Sequence, residues 1–184
     1  MSMKQIHEGG VTVIKPDRFF RDARGYFVEA FRMDSEFRKL TGGYFVQSNI
    51  SQSRPFTLRG LHYQMGEPKQ GKLIRCIAGK IYQVSVDVRM GSTSFGTHAW
   101  TILDDIHCES VWVPPGFANG FFAFDTGAIV QYEMTAPFIP EKERSLNWND
   151  QRVGIKWPMG VGGQVIMSPK DRNAPGLSEI ESWR

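Results

Sequence analysis

The segment IYQVSVDVR at residues 81–89 is the clearest indication of a β fold, because apolar and polar side chains alternate along most of it. Its even-numbered positions carry one tyrosine and three valines, while glutamine, serine, aspartate and arginine stand between and after them. Alternation with a period of two puts the apolar set on one face of a β-strand. We therefore predict a half-buried strand here, entered through a turn at Gly79 and Lys80 from an earlier strand at residues 73–77.

Two other stretches alternate in the same way. In the first, one face of the predicted strand carries Ala128, Val130, Tyr132 and Met134. In the second, at residues 44–53, one face carries four polar side chains: Gln47, Asn49, Ser51 and Ser53. A polar strand face is typical of the lining of a wet cavity rather than of a packed core, which indicates a barrel with a polar interior.

Helical signals are few. Asp34 is placed to cap a short helix that ends at Gly42, with Phe37 and Leu40 among its residues, and the tail after Asp171 has room for another turn or two. Many short strands separated by Gly, Pro, Asn and Asp predict an all-β sandwich, jelly roll or open barrel. With 184 residues and no linker or internal repeat, residues 1–184 are predicted to form a single domain.

The amino-acid composition limits the kinds of molecule that the protein is expected to bind. The formal net charge is +3, and lysine and arginine are scattered singly, which favours a local pocket for an anionic ligand over a nucleic-acid surface. No segment approaches the roughly 20 apolar residues that span a bilayer. The chain has two cysteines, and its first residues lack the apolar stretch of a signal peptide, so we expect a protein of the reducing cytoplasm.

The segment LRGLHYQMGEPKQGK at residues 58–72 carries the clearest chemical signal. It gathers Arg59, His62 and Lys72, and a histidine side chain can exchange a proton near neutral pH while arginine and lysine hold a phosphate or an enolate. The alternative is a histidine satisfied within a strand and flanked by solvated charges. Strict alternation would also put Arg59 and His62 on opposite faces, unless Gly60 marks a β-bulge.

A metal site would need several imidazole and carboxylate ligands around one point. His62 has no second histidine near it, and the other three histidines are predicted to be surface or packing residues: His7, His98 and His107. We therefore predict no metal and no other cofactor.

Eight segments, in order and with matching spacing, resemble the dTDP-4-dehydrorhamnose 3,5-epimerase family. They are FRDARGYFVE (20–29), QSNISQS (47–53), LRGLHYQ (58–64), QGKLIRC (70–76), VSVDVRMGSTSFG (84–96), VPPGFANGF (113–121), NWND (147–150) and SPKDRNAPGL (168–177). The resemblance implies a cupin-type jelly-roll barrel with a few short helices, a homodimer, and metal-independent isomerase activity. It also implies a nucleotide-linked 4-keto-6-deoxy sugar as substrate, used for rhamnose and surface polysaccharide.

The resemblance implies four catalytic residues. His62 corresponds to the base, Tyr132 to the acid across the sugar ring, and Lys72 to the cation beside the enolate oxygen. Asp171 corresponds to the carboxylate that orients the His62 ring. From the residues alone, a tyrosine on this apolar strand face would more often be a core residue, and Asp171 could instead cap the turn that follows it.

The resemblance also implies the substrate-binding residues. Arg24, Arg59 and Lys170 match positions near the pyrophosphate, and Phe27 matches a position that packs on the base. The remaining matches are polar contacts to the nucleotide or the sugar: Glu29, Gln47, Ser48, Asn49 and Glu143.

Two residues depart from the family pattern. Asn119 stands in GFANGF where the family usually has GFAHGF, and Phe138 replaces a second tyrosine, six residues after Tyr132. Both changes leave the reaction class intact and put the substrate in question. The main expectation is epimerisation at carbons 3 and 5. The alternatives are inversion at one carbon, a CDP- or GDP-linked sugar, an isomerase that only shifts the ketone, and a sugar-binding cupin without turnover.

Overall fold

The computed structural model describes residues 1–159 and 165–180, and the elements of this part of the chain are mostly strands. The strands are β1 (Ser2–Gln5), β2 (Thr12–Lys15), β3 (Phe19–Asp22), β4 (Gly25–Val28), β5 (Gln47–Ser53), β6 (Leu58–Gln64), β7 (Lys72–Asp87), β8 (His98–Asp104), β9 (Ser110–Val113), β10 (Phe117–Met134) and β11 (Glu143–Ser145). The helices are α1 (Ser35–Thr41), α2 (Pro169–Arg172) and one 3₁₀ turn (Pro140–Lys142). The all-β class is confirmed. No helix in these residues is long and apolar enough to cross a bilayer.

Two long strands organise the barrel. β7 and β10 pair with each other antiparallel almost from end to end. Their outer neighbours change halfway: β9 and β5 flank the pair at one end, and β8 and β6 flank it at the other. The result is two antiparallel sheets that share two strands. The β5 sheet consists of β5, β9, β2 and β1 with the Lys72 end of β7 and the Met134 end of β10. The β6 sheet consists of β6, β8 and β11 with the Asp87 end of β7 and the Phe117 end of β10.

The predicted turn at Gly79 and Lys80 is wrong, because β7 continues through both residues as one strand. Gly79 instead bends the strand where it passes from one sheet to the other. Its φ is +79°, and a Cβ placed there would lie 2.1 Å from the carbonyl oxygen of Gly127 on β10. The register between β7 and β10 shifts at the same level, so this bend is a bulge shared by the two strands.

The alternation at residues 81–89 is correct as a strand, but the expected half-burial is wrong. The apolar side chains of Tyr82, Val84 and Val86 pack under the C-terminal segment. The polar set on the other face is also buried, because it faces the interior between the two sheets: Gln83, Ser85 and Asp87. A strand covered on both faces cannot be told from a half-buried one by its own pattern.

The apolar core has three parts. Side chains of both sheets, including Ile74, Val130 and Phe121, fill the barrel interior at one end. A second cluster covers the outer face of the β6 sheet, and a third packs α1 on Leu73 and Trp112 of the β5 sheet. These clusters leave the other end of the barrel interior for polar side chains.

The predicted helix is confirmed with both of its ends. The side chain of Asp34 accepts a hydrogen bond from the backbone N–H of Phe37 at 2.9 Å, and Gly42 closes the helix in the left-handed conformation. In the tail, the helical turn lies over Asp171 itself rather than after it, as α2. Ser168 caps α2 by accepting a hydrogen bond from the Asp171 N–H at 3.1 Å.

Candidate active site

A cavity of about 640 Å³ opens at the polar end of the barrel, between the two sheets. Its walls bring together most of the side chains that the sequence predicts to be functional. These are His62, Lys72, Tyr132, Asp171, Ser48, Asn49, Arg59, Asn119, Phe138, Glu143 and Lys170. The predicted polar face at residues 47–53 therefore contributes to a cavity wall.

A bulge in β6 puts Arg59 and His62 on the same face. Between the pairs Asn119–His62 and Phe121–Arg59, β10 has one residue, Gly120, whereas β6 has two, Gly60 and Leu61. Gly60 has a φ of +108°, and a Cβ there would lie 2.7 Å from the Cα of Gly120. Only glycine fits this close approach without a shift of the backbone. The interpretation of Gly60 as a bulge is thus correct, and it aims both functional side chains into the cavity.

His62 is held by a buried carboxylate 109 residues away in the chain. Its Nε2 lies 2.6 Å from Oδ1 of Asp171, whose side chain is only 5% exposed. The second oxygen of Asp171 accepts a hydrogen bond from the Gly60 N–H at 3.2 Å. Burial alone would raise the pKa of Asp171, but the hydrogen bonds from His62, Gly60 and the α2 cap outweigh it and lower the pKa. Asp171 therefore stays ionised and fixes the orientation of the ring.

Lys72 projects into the cavity from the first residue of β7. Its Nζ donates a hydrogen bond to Oδ1 of Asn119 at 3.0 Å. Desolvation by the cavity walls lowers the pKa of Lys72 to about 8, although the negative charge of Glu143 acts in the opposite direction. At neutral pH the ammonium is still charged, and in a poorly hydrated site its attraction for a developing anion is strong.

Tyr132 lies on β10 in the β5 sheet, next to the β5 strand. Its hydroxyl is 3.2 Å from Oγ of Ser51. Burial raises the pKa of Tyr132 to about 12, while the Ser51 hydrogen bond and the charge of Arg59 act to lower it. The phenol is consequently protonated at neutral pH and can act as a proton donor.

Cationic side chains stand at the edge of the cavity. The Arg59 guanidinium donates to Oγ of Ser53 at 2.9 Å and to the carbonyl of Gln52 at 2.8 Å, so β5 fixes its position. Lys170, one residue before Asp171, forms an ion pair with Glu143 of β11. An anionic group at this edge would meet both cations.

Gln47 does not line the cavity but supports two residues that do. Its side chain donates to Oδ1 of Asn49 at 3.0 Å and accepts a hydrogen bond from the backbone N–H of Phe138 at 2.8 Å. The Phe138 ring is 43% exposed at the cavity opening. Gln47 thus fixes the segment that carries this ring against β5.

Besides Gln47, three predicted binding residues lie outside the cavity of their own chain. Arg24 pairs with Asp22 at 2.6 Å, and Glu29 pairs with Arg32 at 2.6 Å. Phe27 is 68% exposed on the hairpin of β3 and β4, which is a separate two-stranded sheet. The structure of one chain therefore does not bring these residues to the other predicted site residues.

Sequence reasoning missed several side chains of the site. Ser51 belonged to the predicted polar face but had no assigned role, and Ser168 is recognisable as a helix cap only once α2 is known. Gln64 and Gln70 bond to each other, and Gln70 Nε2 also donates to the carbonyl of Ala136 at 3.1 Å. Buried glutamines in strand-like segments were the available signal, since buried amides need partners.

The other histidines have partners elsewhere. His7 lies 2.9 Å from the hydroxyl of Thr97, and His107 lies 2.9 Å from Asp104. Burial lowers the pKa of His98 on β8. Within residues 1–159 and 165–180, no three His, Cys, Asp or Glu side chains are grouped as metal ligands would be.

A jelly-roll barrel whose cavity holds an oriented histidine, a protonated tyrosine and a lysine defines a cupin-type protein equipped for proton transfer. The family model for dTDP-4-dehydrorhamnose 3,5-epimerase matches residues 6–179. The chain therefore belongs to the dTDP-4-dehydrorhamnose 3,5-epimerase family, a family of isomerases, as the motifs predicted.

Individual relatives agree with this assignment. The dTDP-4-dehydrorhamnose 3,5-epimerase of Escherichia coli (strain K12) is 41% identical over 172 residues, which are 92% of this chain and 91% of the relative. A solved dTDP-6-deoxy-D-glucose-3,5-epimerase of Legionella pneumophila, in complex with dTDP-4-keto-L-rhamnose, is 37% identical with a TM-score of 0.90. The match covers 98% of this chain and 94% of that one, and the cupin-type fold is confirmed.

A relative with a different outcome is also similar. The 3'-monoepimerase of Streptomyces bikiniensis, solved in complex with dTDP-quinovose, is 31% identical with a TM-score of 0.83. The match covers 92% of this chain and 84% of that one. The shared fold therefore accommodates inversion at one carbon as well as at two.

Proposed function

We propose that this protein epimerises a dTDP-linked 4-keto-6-deoxyhexose at carbons 3 and 5, in the biosynthesis of rhamnose for surface polysaccharide. The observation that carries the proposal is the composition of the cavity. His62, oriented by Asp171, comes from the β6 sheet, while Tyr132 and Lys72 come from the β5 sheet, and all four line one space. A sugar between the sheets would have a base on one side and an acid on the other.

The chemistry follows from the ketone. A hydrogen on a carbon next to the carbonyl is acidic, because the electron pair left on carbon is delocalised onto the carbonyl oxygen. His62 takes this proton, and Tyr132 delivers another to the opposite face of the same carbon. The configuration is inverted, and no atom other than hydrogen has been exchanged.

Lys72 would stabilise the enolate between the two proton transfers. Its ammonium is held towards Asn119 and surrounded by protein, so it meets the negative oxygen without first shedding a full shell of water. Arg59, together with Lys170, would hold the diphosphate at the edge of the cavity.

We also propose that the protein is a homodimer in which the β3–β4 hairpin serves the cavity of the partner. Arg24, Phe27 and Glu29 match family positions that contact the nucleotide, yet they lie outside the cavity of their own chain, and Phe27 exposes its ring to solvent. A two-fold axis that brings the hairpin of one chain to the cavity of the other would place these residues at the nucleotide.

The dimer proposal is testable by mixing two inactive variants. His62→Asn removes the base, and Arg24→Ala removes a cation of the hairpin. If the hairpin acts across the dimer, refolding equal amounts of the two variants together regains up to about a quarter of the wild-type activity, because half of the dimers are mixed and one of their two cavities is intact. Activity that stays at the level of the separate variants would show that each chain completes its own site.

The cytoplasm is the proposed location. Cys76 and Cys108 are buried free thiols, which is typical of proteins in a reducing compartment. We further propose that residues 1–184 act as one domain without a metal or other cofactor, and that neither a membrane nor a nucleic acid is a partner.

The second candidate function is inversion at one carbon only. It is favoured by the similarity to the 3'-monoepimerase of Streptomyces bikiniensis. Asn119 and Phe138, the two departures from the family motif, line the cavity in which both carbons would have to be presented. Because the same two departures change how the substrate is held, a CDP- or GDP-linked sugar is the alternative substrate.

The decisive experiment follows dTDP-4-keto-6-deoxyglucose by proton NMR in deuterium oxide. The proposal predicts deuterium at carbons 3 and 5, with inversion at both. Deuterium at one position alone would make the protein a mono-epimerase. Loss of exchange with His62→Asn would assign the signal to this cavity, while a lack of exchange by the wild-type protein would contradict the proposed substrate and direct the assay to CDP- and GDP-linked sugars.

A further inference from the structure

The four predicted catalytic residues do not account for the reprotonation of Tyr132, the acid of the proposed reaction. Tyr132 gives its proton to the sugar, and the tyrosinate that remains must regain one before the next turnover. Tyr132 is half-buried in the cavity wall, and its substrate would cover it from the front. Reprotonation while the sugar is still bound, which inversion at a second carbon requires, therefore needs a path that avoids the covered face.

Ser51 is placed to provide this path. Its Oγ lies 3.2 Å from the Tyr132 hydroxyl, and it is the one hydrogen-bond partner of that hydroxyl among the described residues. In the ladder of β5 and β10, Ser51 is opposite Val130, two residues from Tyr132, so the two side chains are diagonal neighbours on one sheet face.

The surroundings of Ser51 connect it to solvent. β5 pairs with β10 alone, so it forms an edge of the sheet within the described part of the chain. Ser51 is half-buried, and its neighbours Ile50 and Gln52 are exposed, with Ile50 at 66%. A serine hydroxyl donates one hydrogen bond and accepts others, so it can pass a proton from water to an adjacent oxygen.

We propose that Ser51 is a positioning and relay residue for Tyr132, holding the phenol towards the sugar and returning a proton to it after each transfer. This role rests on the proposed epimerase function. In the transfer, the Tyr132 O–H bond breaks as the new C–H bond forms at the sugar carbon, which leaves tyrosinate. Ser51 then gives its hydroxyl proton to the tyrosinate while it takes one from a water molecule at the exposed edge of β5.

The proton balance closes at the other wall. His62 has gained one proton from the sugar, and it releases that proton to solvent, where the hydroxide left by the relay is neutralised. Substrate and product therefore differ in configuration only. The positive charge of Arg59 assists the relay, since it stabilises the tyrosinate and acts to lower the pKa of Tyr132.

The test compares Ser51→Ala with Ser51→Thr, using dTDP-4-keto-6-deoxyglucose in deuterium oxide. Ser51→Ala should slow inversion at least tenfold, while the His62 side continues to wash deuterium into the substrate without inversion. The Michaelis constant should change little, because Ser51 acts on Tyr132. Ser51→Thr keeps a hydroxyl and should recover most of the inversion rate.

Ser110→Ala is the matched control, since Ser110 is another strand serine, hydrogen-bonded to Arg75 at 3.0 Å outside the cavity. Inversion by Ser51→Ala at the wild-type rate would overturn the proposal. Equal loss of exchange and inversion, or failure of Ser51→Thr to recover, would also overturn it by giving Ser51 a general structural role. If the wild-type protein shows no exchange, the proposed substrate fails instead, which is a separate result.

Discussion

The two walls of the cavity prepare their proton-transfer groups by different means. On the β6 sheet, His62 is oriented by a short hydrogen bond to a buried carboxylate, which is itself held by a backbone N–H of the bulge. On the β5 sheet, burial sets the protonation states, lowering the pKa of Lys72 to about 8 and raising that of Tyr132 to about 12. One wall is thus built by hydrogen-bond geometry and the other by desolvation.

This difference indicates which changes each wall tolerates. A site fixed by geometry depends on partners that must stay within hydrogen-bond distance, so single substitutions should act on the rate sharply. A site tuned by desolvation depends on the summed surroundings, so substitutions there should also move pH profiles and stability.

The largest expected effect comes from Asp171→Asn on the geometric wall. The variant keeps the size of the side chain but loses the charge that fixes the His62 ring, so we expect the turnover number to fall about 10³–10⁴-fold. Nucleotide binding, measured by calorimetry with dTDP, should change little. A turnover number near that of the wild-type protein would show that His62 needs no carboxylate partner.

Lys72→Met tests the desolvated wall and should separate activity from stability. Loss of the ammonium removes enolate stabilisation, for which we expect a rate loss of about 10²–10³-fold. The folded state holds the pKa of Lys72 at about 8, below its ordinary value of 10.5, so the charged lysine destabilises the fold fully below pH 8 and progressively less as the pH rises to 10.5.

The same variant should therefore be more stable than the wild-type protein at pH 7, by about 1–3 kcal/mol in free energy of unfolding. This gain should shrink between pH 8 and pH 10.5. Urea unfolding at several pH values would measure it, and a less stable Lys72→Met protein would contradict the idea that burial opposes the lysine charge.

Asn119→Asp tests whether the neutral partner of Lys72 sets the alkaline limit of activity. The wild-type rate should fall as the pH rises through about 8, where Lys72 loses its proton. A carboxylate at position 119 favours the ammonium, so the falling limb should move upward by about one pH unit. Asn119→Leu is the control of similar size without charge, and its limb should not move upward. An unmoved limb in Asn119→Asp would exclude Lys72 as the titrating group.

The smallest expected effect belongs to Phe138→Tyr at the cavity opening. The ring stays in place, held through the backbone hydrogen bond to Gln47, and one hydroxyl is added at an exposed position. One new hydrogen bond to the substrate would change the Michaelis constant about 2–10-fold, with little change in turnover number. A large change in the ratio of exchange at carbons 3 and 5 would instead make this position a determinant of the outcome.

Much of the local structure was predictable from the sequence. The alternating strand at residues 128–134 and the helix between Asp34 and Gly42 depend on contacts within a few residues, and both were predicted correctly. The strand predicted from residue 44 begins at Gln47 instead, and of its polar face Asn49 and Ser51 line the cavity. The turn at Gly79 was predicted wrongly, because the same glycine signals a turn or a bend, and only the pairing of β7 with β10 decides between them.

The features of the site can also be separated into those that were predictable from local sequence and those that were not. The motifs alone identified the family, the chemical groups and, by resemblance, Asp171 as the partner of His62, and they offered Gly60 as a bulge that would aim Arg59 and His62 together. The packing of the sheets, and no motif, showed that Lys72 bonds to Asn119 and that Ser51 reaches Tyr132, pairs separated by 47 and 81 residues. Local patterns record backbone preferences within one element, whereas contacts over such distances follow from how the sheets pack, and no single segment carries that information.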